Sequence, residues 1–150
     1  MQSVVHFSNI RNEIIGQLKK ATRDIKVAIA WLTDEDIIRT LTQRVESGLS
    51  ITVVMSESKE NFRNISKWKD FLRFGGKLHI ATPKFLHHKF CIIDSKTIIN
   101  GSYNWTYFAQ SNEENILVIT LETSFDEDGK LLRQFEVKHK FLCDKASQQV

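Results

Sequence analysis

The chain has 150 residues, 41% hydrophobic and 26% charged, with one Pro and six Gly, which is the size and composition of one globular domain over residues 1–150 and excludes extensive disorder. No window reaches roughly eighteen consecutive apolar residues, which excludes a spanning helix, and two cysteines, Cys91 and Cys143, are too few for a disulfide framework or a cysteine zinc site. The net charge of +3 is uneven: residues 1–60 balance to zero, 61–110 carry +6 and 111–150 carry −3, which favours an anionic partner near the middle segment.

Ser8-Asn9 followed by Ile10, Ile14, Ile15, Leu18 and Ala21 predicts a capped helix of 3.6 period. Residues 24–32 are β-branched and apolar and predict a buried strand. Thr33 is expected to cap a second helix, with Asp34, Glu35 and Asp36 in its first turn and Ile37, Ile38, Leu41 and Val45 as its stripe up to Gly48. Residues 50–55 predict a strand. Phe62, Ile65, Trp68, Phe71 and Leu72 predict a third helix stopped by Gly75-Gly76, and 77–81 a further strand before Pro83. Residues 88–93 and 96–100 are joined at Asp94-Ser95, too close for a crossover helix, and predict a hairpin. A strand over 115–121 and a helix over 125–143, weakened by Gly129, complete the chain. The expected fold class is α/β, a mixed and mostly parallel sheet sandwiched by helices.

The informative stretch is His87 to Asn115, in which His87, Lys89, Asp94, Gly101, Ser102 and Asn104 follow the pattern H-x-K-x4-D-x6-G-S-x-N. Six specified positions recur by chance on the order of once per million chains of this length. His87 and Lys89 are two apart at a strand start and share a face. An imidazole there can attack phosphorus while the neighbouring ammonium holds the non-bridging oxygens. Asp94, an odd number of residues from His87, is turned away. Gly101 allows close backbone approach, and Ser102 and Asn104 offer hydroxyl and amide donors to the same phosphate.

The pattern resembles the HKD motif of the phospholipase D superfamily, and specifically its bacterial endonuclease-like members with one motif per chain. The resemblance implies the phospholipase D/nuclease-like fold, a structural role for Asp94, and a covalent phosphohistidine on one histidine while a second protonates the leaving oxygen. With one H-x-K here, it implies a homodimer with His87, Lys89 and Asn104 of both subunits in one site at the two-fold axis. It also implies a downstream carboxylate orienting the histidine, matched best by Glu114, with Glu113 as the alternative. No metal and no cofactor are expected, because two lysines and two histidines supply the positive charge.

Lys84, Trp105 and Tyr107 are candidate substrate contacts; as alternatives, Lys84 is a solvated loop lysine and the two aromatics pack at a loop corner. His88 faces away, and His6, His79 and His139 are surface or packing residues. Cys91 is a buried small hydrophobe, and Trp31 and Trp68 are packing residues. Three functions fit: a non-specific DNA or RNA nuclease, a phospholipase D or phosphatidyltransferase on lipid phosphodiesters, and a catalytically quiet nucleic-acid-binding module. The single motif and the +6 segment favour the nuclease, whereas the absence of an amphipathic basic helix counts against the lipase and against stable membrane association. Residues 1–9 lack the profile of a signal peptide, so a reduced, cytoplasmic protein is expected.

Overall fold

The computed structural model describes residues 1–81, 84–146 and 148–150; Pro83 lies outside them. Eight strands form one sheet in the order β1-β7-β6-β5-β2-β3-β4-β8. Strands β2 (Asp24–Ile29), β3 (Ser50–Ser56) and β4 (Lys77–Ala81) run parallel to one another. The hairpin β5 (Lys89–Ile93) and β6 (Thr97–Gly101) joins antiparallel to β2, followed by β7 (Ile116–Thr120), and β1 (Gln2–His6) and β8 (Gln148–Gln149) close the two edges antiparallel. The sheet is therefore mixed, as expected, but two of its seven pairings are parallel. The turn between β5 and β6 is too short for the crossover that parallel pairing needs.

Helices cover both faces. On one face α1 (Ile10–Lys19) and α2 (Glu35–Glu46) place Ile14, Leu18, Ile37 and Leu41 against Ile25, Val27, Ile29, Val53 and Cys91. On the other, Leu132 and Phe135 of α5 (Asp126–Asp144) pack on Ala28, Val54, Phe90 and Ile92. Odd residues of β5 thus face α1 and α2 and even residues face α5, the period of two that a strand imposes.

Three local expectations change. Asp34, not Thr33, caps α2: its carboxylate accepts from the Asp36 and Ile37 N–H groups, while Arg11 Nε donates to it at 2.6 Å. The helix expected over Phe62 to Leu72 is three pieces, α3 (Lys59–Arg63), a 3-10 turn over Ile65–Trp68, and α4 (Lys69–Arg73). Phe62 is exposed while Trp68 and Phe71 meet edge to face in the core at 5.0 Å. Gly129 is needed where it stands, because a Cβ would lie 2.2 Å from the Ser124 carbonyl oxygen.

Candidate active site

The motif occupies the carboxyl end of the parallel strands, where the order of connection reverses about β2, the place where open α/β sheets bind ligands. The 30–32 segment leaving β2 is the common rail. Ala30 N–H donates to the His88 carbonyl at 2.9 Å, and Trp31 N–H donates to Asn104 Oδ1 at 3.1 Å. Trp105 N–H in turn donates to the Trp31 carbonyl at 3.1 Å. His87 and Asn104 are therefore carried on either side of one backbone stretch. With its Oδ1 engaged, the Asn104 Nδ2 donors have no protein partner among the described residues.

Lys89 pairs with Ile29 across the sheet, and its Nζ lies 3.1 Å from Nε2 and 3.3 Å from Nδ1 of His87, while it donates to the His87 carbonyl at 3.0 Å. An ammonium only donates and a neutral imidazole offers one acceptor nitrogen, so at most one of these two approaches is a hydrogen bond. Partial burial lowers the Lys89 pKa, and the negative charge of Glu114 works against that fall, which places Glu114 within electrostatic reach of the pair. The hydrogen bond Glu114 makes comes from Asn112 Nδ2 at 3.1 Å rather than from His87; Glu113 is exposed.

Asp94 sits at the far end of the hairpin. Its carboxylate accepts from the N–H groups of Thr22 (2.9 Å), Arg23 (2.7 Å) and Asp24 (3.0 Å). Burial works against its ionisation, but these donors outweigh it and hold the carboxyl below the ordinary carboxylate range. Asp94 and Ser95 both have positive φ, 55° and 50°, as a type I′ turn requires. Gly101 opposes Ile116, and a Cβ on it would lie 2.2 Å from the Asn115 carbonyl oxygen and 2.8 Å from Ile116 Cα. Ser102 continues that seam: its N–H donates to the Asn115 carbonyl and its Oγ accepts from the Asn115 N–H. The hydroxyl proton is left for a ligand.

The tentative contacts divide. Lys84 is exposed and borders the same cavity as His87. Trp105 takes the packing alternative: its side chain is 2% exposed and sits in the core, and its carbonyl accepts from the Thr33 and Asp34 N–H groups. Tyr107 is exposed but borders a separate cavity with Arg11, Trp31 and Lys67. Of the +6 segment, Lys84 and Lys89 lie at His87, whereas others lie elsewhere: Lys96 is in the distal turn, Arg73 pairs with Asp70, and Lys67 Nζ donates to the Thr33 carbonyl.

Asn61 is the residue that sequence reasoning missed. It is fully buried; its Nδ2 donates to the carbonyls of Ala30 (2.9 Å) and Ser56 (2.8 Å), and its Oδ1 accepts from Leu32 N–H (3.1 Å). Ser56 Oγ adds a bond to the Ala30 carbonyl. These two side chains fix the rail that carries His88 and Asn104. The signal available was a polar cluster, Ser56 to Asn61, directly after a buried strand.

A family model described as cardiolipin synthase, PLD-like domain, matches residues 14–137. The chain belongs to the phospholipase D-like family. The mitochondrial cardiolipin hydrolase of Chlamydomonas reinhardtii is 27% identical to it over 141 residues, covering 93% of this chain and 60% of that protein. The chain thus spans less than two thirds of that relative. Nuc from Salmonella typhimurium, a phospholipase D family member, superposes with a TM-score of 0.85 at 22% identity, covering 99% of this chain and 97% of Nuc. NucT from Helicobacter pylori superposes at 0.78 with 18% identity, covering 97% of both chains. Phospholipase D-like proteins are phosphodiesterases. Among the described residues of this member no helix is long and apolar enough to cross a membrane, and no three His, Cys, Asp or Glu side chains gather as a metal set.

Proposed function

We propose that this phospholipase D-like chain hydrolyses phosphodiesters of nucleic acid, without a metal, through a covalent phosphohistidine on His87 in a homodimeric site. The observation that carries the reading is the Lys89 ammonium resting against the His87 ring, 3.1 Å from Nε2, with the Asn104 amide donors open beside the same backbone rail. An arriving phosphate offers the ammonium a better acceptor than imidazole. Lys89 transfers to a non-bridging oxygen, and the ring lone pair it leaves attacks phosphorus. As the nitrogen–phosphorus bond forms, the bond to the leaving oxygen breaks, and that oxygen takes a proton from His87 of the second subunit. Water then attacks phosphorus, the second imidazole takes its proton, and the nitrogen–phosphorus bond breaks to return His87. Asn104 and Ser102 donate to the equatorial oxygens, where charge develops. Glu114 becomes the carboxylate that orients His87 once Lys89 has turned to phosphate.

The dimer is part of the proposal because one chain supplies one H-x-K pair and the two steps need one neutral and one protonated imidazole. The rate is then bell-shaped in pH, with apparent values that belong to the pair. The family's range keeps lipid phosphodiesters as the second reading, favoured by the named activity of the Chlamydomonas relative. Incubation in chelator with single- and double-stranded DNA, RNA, cardiolipin and phosphatidylcholine separates the two. Nucleic acid is expected to be cut, with a loss of at least about 10²-fold in His87→Ala and Lys89→Met. Turnover of lipid alone would overturn the substrate assignment. Activity that vanishes in chelator and returns with Mg²⁺ would overturn the mechanism.

A further inference from the structure

Part of the positive charge around His87 comes from residues 111–150, whose net charge is negative. A cavity of about 600 Å³ lies between the 84–88 segment and the C-terminal half of α5, walled in part by Lys84, Phe85, His87, Lys138, Phe141 and Lys145. No carboxylate lines it among the described residues. Lys138 and Phe141 of α5 and its C-cap Lys145 are spaced i, i+3, i+7 and so lie along one face. The ammonium groups of Lys138 and Lys145 lie 5.0 and 6.0 Å from the Phe141 ring centroid. Phe85 and Phe141 remain 54% and 49% exposed, and the Phe85 ring stands 5.9 Å from that of His87, inclined by 36°. Burial, and after it the positive charges of Lys138, Lys89 and His87, lower the His88 pKa, so α5 contributes to the positive field at the motif.

We propose that this groove is the track along which a single-stranded nucleic acid reaches His87, its bases stacking on Phe85 and Phe141 and its phosphates meeting Lys84, Lys138 and Lys145. The inference rests on the nucleic-acid reading above and narrows it to single strands. Exposed aromatic rings interleaved with lysines are the combination that unpaired bases and a phosphate backbone require, whereas a duplex keeps its base faces hidden. Away from the shared His87 site, a second copy of this chain would set Lys138 and Lys145 against lysines of its own, so it is a poorer occupant there. A bilayer is poorer too, because a flat headgroup surface meets the rims of a groove and not its floor.

The test uses fluorescence anisotropy with labelled single-stranded and duplex oligonucleotides, in a His87→Asn background that prevents cleavage. Single strands are expected to bind more tightly than duplex. Phe141→Ala should weaken single-strand binding by roughly 5- to 100-fold, and Lys138→Ala with Lys145→Ala should lower the salt slope by about 0.7 per lysine. Matched thermal melts check that the variants fold. Unchanged oligonucleotide affinity overturns the inference. So does a loss confined to anionic vesicle binding, or a dimer that becomes monomeric with oligonucleotide affinity intact. Wild-type turnover of a small chromogenic diester reports on the reaction alone: with turnover present and the variants silent, the groove assignment fails and the mechanism stands.

Discussion

His139 offers a sharp test of the packing that supports the site. It is 4% exposed beneath α5, and its Nε2 donates to the carbonyls of Val27 and Thr52 at 3.1 and 3.2 Å, tying the helix to β2 and β3. Burial pushes its pKa down to about 4, the two carbonyls oppose the fall, and Lys26 and His79 add to it. In the unfolded chain the same ring titrates near 6.5. Between these values the unfolded chain holds a proton at this position that the folded chain does not, so stability falls as pH drops through the window. At about 1.4 kcal/mol per pH unit the full displacement amounts to about 3 kcal/mol, reached near pH 4. His139→Gln keeps an amide donor and does not titrate. Urea denaturation from pH 7.5 to 4 should show the wild-type protein losing about 3 kcal/mol more than the variant. The acidic carboxyls Asp36, Asp94 and Asp128, whose pKa values are lowered in the fold, weaken both proteins at the acid end and cancel in the difference. Parallel curves for the two proteins would refute the reasoning.

Three further outcomes are expected. Gly101→Ala drives a methyl into backbone of β7 that has no side chain to give way, which should cost about 3 kcal/mol and lower the melting temperature by about 10 °C. Trp105→Ala should cost about 3–5 kcal/mol, whereas Tyr107→Ala should leave thermal stability nearly unchanged; the opposite ranking in a melt would contradict the burial of Trp105. Asn61→Ala leaves the Ala30 and Ser56 carbonyls and the Leu32 N–H without their partner, so kcat on a small diester should fall several-fold with KM little changed, and Asn61→Asp, which keeps only the acceptor, should restore little.

The chemistry at this site was more legible in the sequence than the ground on which it stands. His87, Lys89 and Asp94 obey strand parity, and the turn at Asp94-Ser95 is set by local backbone preference, so short-range rules reach them. The same holds for Gly101, whose need is created by the strand next in sequence. The burial of Trp105 depends on the 30–32 segment, more than seventy residues away, and no local pattern reports it. Asn61 is invisible for the same reason, because all its partners belong to neighbouring strand ends. The edges escaped for a different cause: β1 is largely exposed and carries no apolar alternation, and β8 is two residues long. The proportion of parallel pairing followed the α-β rhythm of the first half and was reversed by the hairpins of the second.

The Asp94 clamp also determines which side of the sheet the chemistry faces. Sliding β5 by one position against β2 would exchange its faces, sending Lys89 toward α5 and Phe90 toward α1 and α2, with every backbone ladder bond still available. Hydrogen bonding along the strand therefore does not distinguish the productive alignment from its mirror. The three N–H groups at 22–24 do, because a carboxylate at position 94 reaches them in one alignment alone. Asp94 is in this sense a proofreading element of folding: it lies at the far end of the hairpin from His87, yet it rejects the alignment that would turn Lys89 to the other face.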